Sequence, residues 1–243
     1  MKKTFLLATL ITTFSQADFI GGEVNIGYYN HTPSGVASYN GDSVDIEKDL
    51  QWSGQSDIFL KAYLEHPLPI IPNVKVGYTA FSHAGNGHAS KNFSFGGATF
   101  NVVDKLDSNL DLKMYDVALY YELLDNWVNI DVGVNVKLID GVLSVKTTTE
   151  DETSNFQVPL PMLYAKARFD VPTTDLSFQL EGNYVSYDGN TIYDAEAGVR
   201  YTFALGLGLE AGYKTMKLQL NDIDGLSMDS DFSGAYGKLV WDF

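Results

Sequence analysis

The sequence lacks cysteine, is poor in basic residues and contains only four histidines. Without cysteine it can form neither a disulfide framework nor a cysteine-ligated metal site. Its 16 lysines and arginines stand against 31 aspartates and glutamates, for a formal net charge of −15 over 243 residues. Nucleic-acid binding requires clustered basic side chains, so this balance argues against a nucleic-acid partner. Hydrophobic residues make up 45% of the chain, which excludes a disordered acidic tail.

The N-terminus has the three-part layout of a secretory signal peptide. Lys2 and Lys3 precede a short apolar run over 5–14, and small residues follow at the expected cleavage site. The run is too short to cross a membrane, which requires about 20 apolar residues. We therefore predict a signal peptide over 1–17 and a single mature domain over 18–243.

The rest of the chain alternates apolar and polar residues with a period of two, which is typical of half-buried β-strands. No later run approaches the about 18 consecutive apolar residues of a membrane helix. The clearest case is VNIDVGVNVKL at 128–138, where Val, Ile and Leu share one face. The pattern predicts strands near 19–29, 57–66, 73–82, 113–123, 127–139, 160–171, 175–187, 191–203, 205–219 and 230–243.

The connections between these segments predict a transmembrane β-barrel. Short connections such as 67–72 alternate with connections that are mostly long, at 30–56, 83–112, 140–159 and 220–229, with a short one at 188–190 as the exception. Short turns on one side and long loops on the other are the layout of outer-membrane barrels. We expect an all-β, antiparallel up-and-down barrel of ten strands, with eight as the alternative. A soluble β-sandwich is the competing fold.

Aromatic residues favour the barrel over the sandwich. They fall near both ends of the predicted strands, as in the girdles where barrels meet the bilayer interfaces. The chain ends in Phe243 on an amphipathic strand, the usual recognition signal for barrel assembly machinery. The short-turn group is Trp127, Phe169, Tyr201, Phe203, Trp241 and Phe243, and the long-loop group is Tyr28, Tyr78, Tyr184 and Tyr193.

One segment departs from the alternation. Beyond Tyr213, the apolar residues Met216, Leu218 and Leu220 fall on the face that was polar before. A β-bulge, or a strand that protrudes above the membrane, would account for the change.

Several short motifs occur together in the mature chain. They are GGE at 21–23, PSG at 33–35, GDSVD at 41–45, EHPLP at 65–69 and GYT at 77–79. Together they resemble an uncharacterised bacterial outer-membrane β-barrel family with an N-terminal Gly-Gly motif. The resemblance implies an outer-membrane barrel and supplies no catalytic, cofactor-binding or metal-binding residues.

The polar faces of the predicted strands carry charges of both signs. Small barrels have interiors just wide enough for side chains, so we expect ion pairs to fill the lumen; a narrow solute pathway is the alternative. The inward positions are Glu23, Lys61, Glu65, Lys75, Asp116, Glu122, Asp131, Lys137, Lys166, Arg168, Glu181, Asp194, Glu196, Arg200, Glu210, Lys214, Lys238 and Asp242.

The surplus acidic residues fall on the long connections. They suggest either a solvated outer face or divalent cations that bridge carboxylates to anionic lipopolysaccharide, since Ca²⁺ and Mg²⁺ prefer oxygen ligands. The acids are Asp42, Asp45, Glu47, Asp49, Asp140, Glu150, Asp151, Glu152, Asp222, Asp224 and Asp229.

No catalytic pattern is recognisable. His66 precedes a proline at a turn, and His83 and His88 lie in a Gly-rich segment that reads as a loop. The two loop histidines have no third ligand at useful spacing, so we predict no metal site, no cofactor and no enzyme. We expect a porin-like protein of the Gram-negative outer membrane with a structural or surface-interaction role through acidic loops. A narrow channel is the alternative, and a loop-borne protease or lipid-modifying enzyme is third.

Overall fold

Ten long antiparallel strands form one closed sheet. The computed structural model describes residues 20–102 and 104–243, so the predicted signal peptide lies outside the described residues. The barrel strands are β1 (Gly21–Tyr39), β3 (Gln55–Glu65), β4 (Asn73–His88), β7 (Lys105–Asp125), β8 (Val128–Lys146), β9 (Asp151–Asp170), β10 (Leu176–Tyr187), β11 (Asn190–Thr202), β12 (Leu207–Ile223) and β13 (Leu226–Asp242). Three short strands, β2 (Val44–Asp45), β5 (Phe93–Phe95) and β6 (Ala98–Phe100), lie in the connections. The ten-stranded up-and-down barrel is confirmed.

The barrel closes where β1 pairs with β13. Gly22 and Phe243 exchange two backbone hydrogen bonds of 2.9 Å at this seam. A Cβ added at Gly22 would lie 2.8 Å from the Phe243 ring, which a real side chain could not do without a shift. Gly22 therefore has a local role, since its lack of a side chain lets the Phe243 ring approach the first strand.

An apolar belt encircles the outside of the barrel between two aromatic girdles. It runs from Val24 to Tyr28 in β1 and from Val132 to Val136 in β8, all of these outward side chains being exposed. Trp127, at the short-turn girdle, is 58% exposed. The belt matches the lipid-facing band of a transmembrane barrel and defines its membrane-spanning segments. No helix of the described part of the chain is long and apolar enough to cross a membrane.

The strands continue well beyond the long-loop girdle, and their chemistry inverts there. In β12 the even-numbered residues face inward throughout, first Glu210 and Lys214, then Met216 and Leu218. The register with β11 and β13 is unbroken across this change, and the one shift in β12 comes later, after Leu220. The predicted change of parity therefore marks a strand that protrudes above the membrane.

The predicted long loops at 140–159 and 220–229 are wrong. Strands occupy most of both segments, and the connections are only 147–150 and 224–225. Above the belt the outward face meets water and the inward face is apolar, so the alternation has the opposite sense. A template that looks for apolar-out strands reads such a segment as a loop.

The face assignment predicts different costs for the same substitution in β8. Val134→Arg places a charge in the middle of the apolar belt, where Val134 is 56% exposed. It should lower the free energy of unfolding by about 2–4 kcal/mol. Ser144→Arg is the control, because Ser144 faces outward above the belt and should cost at most about 1 kcal/mol. Urea unfolding in detergent measures both, and equal losses would contradict the assignment.

Candidate functional site

The interior of the barrel has two layers. The layer inside the apolar belt is charged, and every inward position predicted from the sequence faces it. The layer above is an apolar core, which includes Phe81, Phe156, Phe232, Leu110 and Met216. The sequence predicted the first layer and not the second.

Arg200 is the centre of the lower part of the charged layer. Its guanidinium is fully buried and donates to both carboxylate oxygens of Glu23, at 2.9 and 3.1 Å, and to Glu210 at 3.0 Å. It also donates to Gln179 at 2.9 Å and reaches Asp242 at 3.4 Å. Its planar set of N–H donors suits such multiple contacts.

Lysines and glutamates fill the middle of the charged layer. Glu196 lies 2.7 Å from Lys61 and 3.1 Å from Lys238, and all three side chains are buried. Glu181 accepts from Lys61 at 3.2 Å and also pairs with Lys75. The pairs of Lys61 and Lys75 join β3 and β4 to β10 and β11 on the far side of the barrel, so these side chains cross the lumen. This confirms the expected plug of ion pairs.

The charged layer is neither completely paired nor completely filled. Lys137 pairs with Asp116 at 2.7 Å and Asp194 at 3.3 Å, whereas Asp131 makes no ion pair within 4.0 Å and its buried Oδ1 has no hydrogen-bond partner in the described residues. A cavity of about 20 Å³ lies above Asp116, Lys137 and Asn183. That volume holds one water molecule.

A cap closes the end of the barrel opposite the seam of Gly22 and Phe243. We define it as residues 40–54 together with the hairpin 89–101, which contains β5 and β6. The two parts are joined by the backbone N–H of Asp42, which donates to Ser94 at 2.8 Å, and by the N–H of Ser90, which donates to Asp49 at 2.8 Å. In this hairpin β5 pairs with β6 over 93–100, with left-handed Gly96 and Gly97 at the turn. The buried apolar side chains of the cap are Val44, Ile46, Leu50, Trp52, Ala89, Phe93, Phe95, Ala98 and Phe100.

Two glycines of β4 let the cap lie directly on the barrel wall. A Cβ at Gly85 would be 2.0 Å from the Leu50 carbonyl oxygen, and one at Gly87 would be 1.8 Å from that of Asp49. Both positions face inward, so the cap backbone fills the space that side chains would take. Trp52 secures this contact through a 2.8 Å hydrogen bond from Nε1 to Ser108.

A hydrogen-bonded chain of side chains lies beneath the cap and above the apolar belt. His83 Nδ1 is 3.2 Å from the Ser53 carbonyl oxygen, and His83 Nε2 is 3.2 Å from His31 Nδ1. His31 Nε2 is 3.1 Å from Asp57 Oδ2. Both histidines are fully buried, on β4 and β1. The expectation that His83 and His88 lie in a loop is therefore wrong, because β4 extends to His88.

The geometry of this chain fixes its proton content. The Ser53 carbonyl can only accept, so His83 must donate from Nδ1 and accept at Nε2. His31 then donates from Nδ1, and its contact with Asp57 requires one further proton on either group. If the chain took up a second proton, His83 Nε2 and His31 Nδ1 would both carry hydrogen, and two N–H groups would face each other across 3.2 Å. Burial accordingly lowers the pKa of both histidines to about 4 and raises the pKa of Asp57.

The acidic residues of the cap are used internally. Asp45 accepts from the N–H groups of Glu47 and Lys48, at 3.0 and 2.9 Å, and Asp49 is buried and accepts from Asp45 and Ser90. Hydrogen bonds to these carboxylates hold the pKa of Asp45 and Asp49 below the usual value. Among the described residues no group of three or more His, Asp or Glu is arranged to hold a metal ion. Asp45 and Asp49, two of the acids that suggested cation binding, instead accept hydrogen bonds within the cap.

Comparison with known proteins supports the fold of the chain but does not indicate its function. Neither models of protein families nor curated sequences match the chain. The outer-membrane protease OmpT from Escherichia coli is 11% identical and has a TM-score of 0.54, with 94% of this chain and 98% of that chain covered. The chain has a bacterial outer-membrane β-barrel fold. The translocator domain of the autotransporter NalP from Neisseria meningitidis, also 11% identical, has a TM-score of 0.46 over 100% of this chain and 95% of that chain. At 11% identity, the similarity to OmpT does not indicate what activity this chain has.

Removing Arg200 should destabilise the barrel strongly. Arg200→Ala leaves Glu23 and Glu210 buried without their main partner, and breaking such buried pairs costs about 3–5 kcal/mol. Arg168→Ala is the control, because Arg168 is partly exposed and pairs with the exposed Asp170 at 2.8 Å. Its cost should be at most about 1 kcal/mol. Thermal melts in detergent measure both, and a wild-type melt for Arg200→Ala would contradict the buried network.

Acidification should loosen the cap. Because the histidine pKa values are about 4 in the folded cap and about 6.5 when exposed, the open state takes up protons first as the pH falls through this window. The contribution of the two histidines to cap stability is complete above pH 6.5 and is lost towards pH 4. The measurement is fluorescence of Trp52, whose ring stacks on His83 at 6.0 Å, in a variant with Trp127→Phe and Trp241→Phe.

The matched control for this titration is the same reporter with His31→Asn and His83→Asn. It should show no change between pH 6.5 and 4 and retain only the response at lower pH, where the cap carboxylates become protonated. A transition in the upper window that persists in the control would show that other groups hold the cap.

Proposed function

We propose that the chain is a protein of the bacterial outer membrane whose closed barrel serves a structural or surface-interaction role at its extracellular end. The observation that carries the proposal is the filled interior. Ion pairs occupy the lumen within the belt, an apolar core lies above them, and the cap covers that core. The strands that rise above the belt present polar outward faces suited to contact with other surface molecules, lipopolysaccharide among them.

The filled interior argues against a solute channel. Lys61 and Lys75 from neighbouring strands meet Glu181 and Glu196 from the far wall, so the pairs span the bore. Ten strands enclose little more space than side chains fill, and open aqueous channels occur in much wider barrels. Opening a path would separate buried charges, which costs several kcal/mol for each pair broken.

The histidine chain argues against a catalytic role. A general base needs a ring nitrogen within hydrogen-bond reach of the substrate. Both nitrogens of His83 and both of His31 are already engaged, by Ser53, by each other and by Asp57. Both rings are also fully buried beneath the cap. We therefore propose a non-enzymatic protein.

The exported state of the chain belongs to the same proposal. A signal peptide over 1–17 would direct export, and Phe243 would be recognised by the barrel assembly machinery. Support for the second point is the position of Phe243, which follows the last strand and pairs with Gly22 to complete the seam. The apolar belt and its two girdles then fit the protein to a bilayer.

Planar-bilayer recording of the refolded protein tests the closed barrel. We expect no steady conductance at neutral pH, because the charged layer and the cap both block the bore. Arg200→Ala, which weakens the charged layer alone, should add at most brief openings while the cap and apolar core remain. A steady ohmic conductance in the wild-type protein would refute the closed barrel and establish a channel.

A further inference from the structure

The upper half of β9 has a strand neighbour on one side only. β9 pairs with β8 along its whole length, up to the pair Lys146–Asp151. Its pairing with β10 stops at Leu163–Tyr184, and β10 itself ends at Tyr187 before the hairpin turn at 188–189. Within the described residues, 151–162 therefore form a free strand edge beside a notch in the barrel wall. Pro161, near the lower end of this edge, pairs with Val136 at the upper limit of the belt, and the edge beyond it lies above the belt, where unpaired backbone groups can meet water.

The prolines of β9 show which backbone groups face the notch. Proline has no N–H and is tolerated in a sheet only where it does not donate to the ladder. Pro159 and Pro161 are paired to β8, so their nitrogens point to the free side. By the period of two, Thr153, Asn155 and Gln157 also direct their N–H and C=O groups into the notch.

The two halves of this edge therefore differ. Near the membrane, Pro159 and Pro161 remove the donors and protect the edge against strand addition. Further out, over Thr153–Gln157, donors and acceptors both remain, and these three side chains are exposed. The row is long enough for a short extended peptide to form ladder hydrogen bonds.

The surroundings of the row define the chemistry of such a peptide. Phe156 and Val158 face the apolar interior and Leu160 is half-buried, so side chains on the inner face of an added strand would meet apolar atoms. Acidic residues are in excess at the outer end of the notch, where Glu150, Asp151 and Glu152 stand against one basic residue, Lys146, which pairs with Asp151 at 3.0 Å. An added strand with alternating apolar and basic residues would place apolar side chains against this interior and basic side chains near these acids.

We propose that the free edge of β9 over Thr153–Gln157 binds an extended basic segment of another polypeptide by strand addition. Strand addition draws its affinity from main-chain hydrogen bonds and its specificity from alternate side chains. The proposal deepens the surface-interaction role and rests on it, since it names the surface and the class of partner.

The probe is a fluorescent eight-residue peptide of alternating lysine and valine, added to the whole protein in lipid nanodiscs. We expect saturable binding to wild type by fluorescence anisotropy. Asn155→Pro removes one edge-facing donor at the same parity as Pro159 and Pro161, so the barrel should still fold, and binding should weaken at least tenfold. Asn155→Ala keeps the backbone donor and is the matched control, with binding unchanged within about twofold.

A second arm needs no protein variant. The same peptide methylated on alternate backbone nitrogens keeps its charge and side chains but loses the donors for the ladder, so its binding should be lost. Equal binding of the methylated peptide, or of wild type and Asn155→Pro, would overturn the proposal in favour of charge attraction alone. Absence of saturable binding to wild type would overturn it as well.

Two further outcomes separate this proposal from others. Disulfide-linked dimers of Asn155→Cys at low protein density in the membrane would assign the edge to a second copy of this chain and overturn the basic partner. A steady conductance together with peptide binding that depends on the Asn155 backbone would overturn the closed-barrel function and leave the edge proposal standing. A closed barrel that binds no peptide would overturn only the edge proposal.

Discussion

The structure depends on the requirement that backbone hydrogen bonds be complete wherever the strands face lipid. Within the apolar belt each strand has two neighbours, and the seam is completed by Gly22 and Phe243. Within the described residues, two pairs of neighbouring strands separate from the upper limit of the belt outward: β3 and β4 beyond Phe59–Thr79, and β9 and β10 beyond Leu163–Tyr184. The bilayer thereby divides one continuous sheet into a lower part that must be closed and an upper part that is free to open.

The same division explains why the interior changes character along its length. Where the outer face is committed to lipid, the inner face can be polar, and charges such as Arg200 and Glu23 are held by pairing. Where the outer face meets water, the sheet needs an apolar interior to be stable, as in a soluble β-protein. The upper barrel supplies it with side chains such as Phe81 and Phe232, and the cap adds Trp52 and Phe95 from above.

The sequence was sufficient for the strands, the faces and the charged layer because these follow local rules. Period-two alternation placed Val134 outward and Lys137 inward, and both positions are confirmed. The upper interior was missed because the expected alternation had apolar residues facing lipid. The pairing of His31 with His83 spans 52 residues, so no local pattern could bring them together. The Gly-rich segment around Gly85 was a usable signal, since its glycines mark where the cap backbone approaches β4.

Proline positions connect the two interruptions in the sheet. Of the seven prolines, three lie in strands: Pro33 in β1, and Pro159 and Pro161 in β9. Pro33 follows the last β1 pair with β3, and β2 joins β1 just beyond it, at Val36–Asp45. The cap thus occupies the first opening, with the Asp57 carboxylate 3.4 Å from the Ser82 N–H across it. In β9 the prolines remove backbone donors only from the part of the edge next to the membrane. Since the chain covers one opening and protects only the lower half of the other, the upper β9 edge is the part of the wall whose hydrogen-bonding groups remain available to a partner.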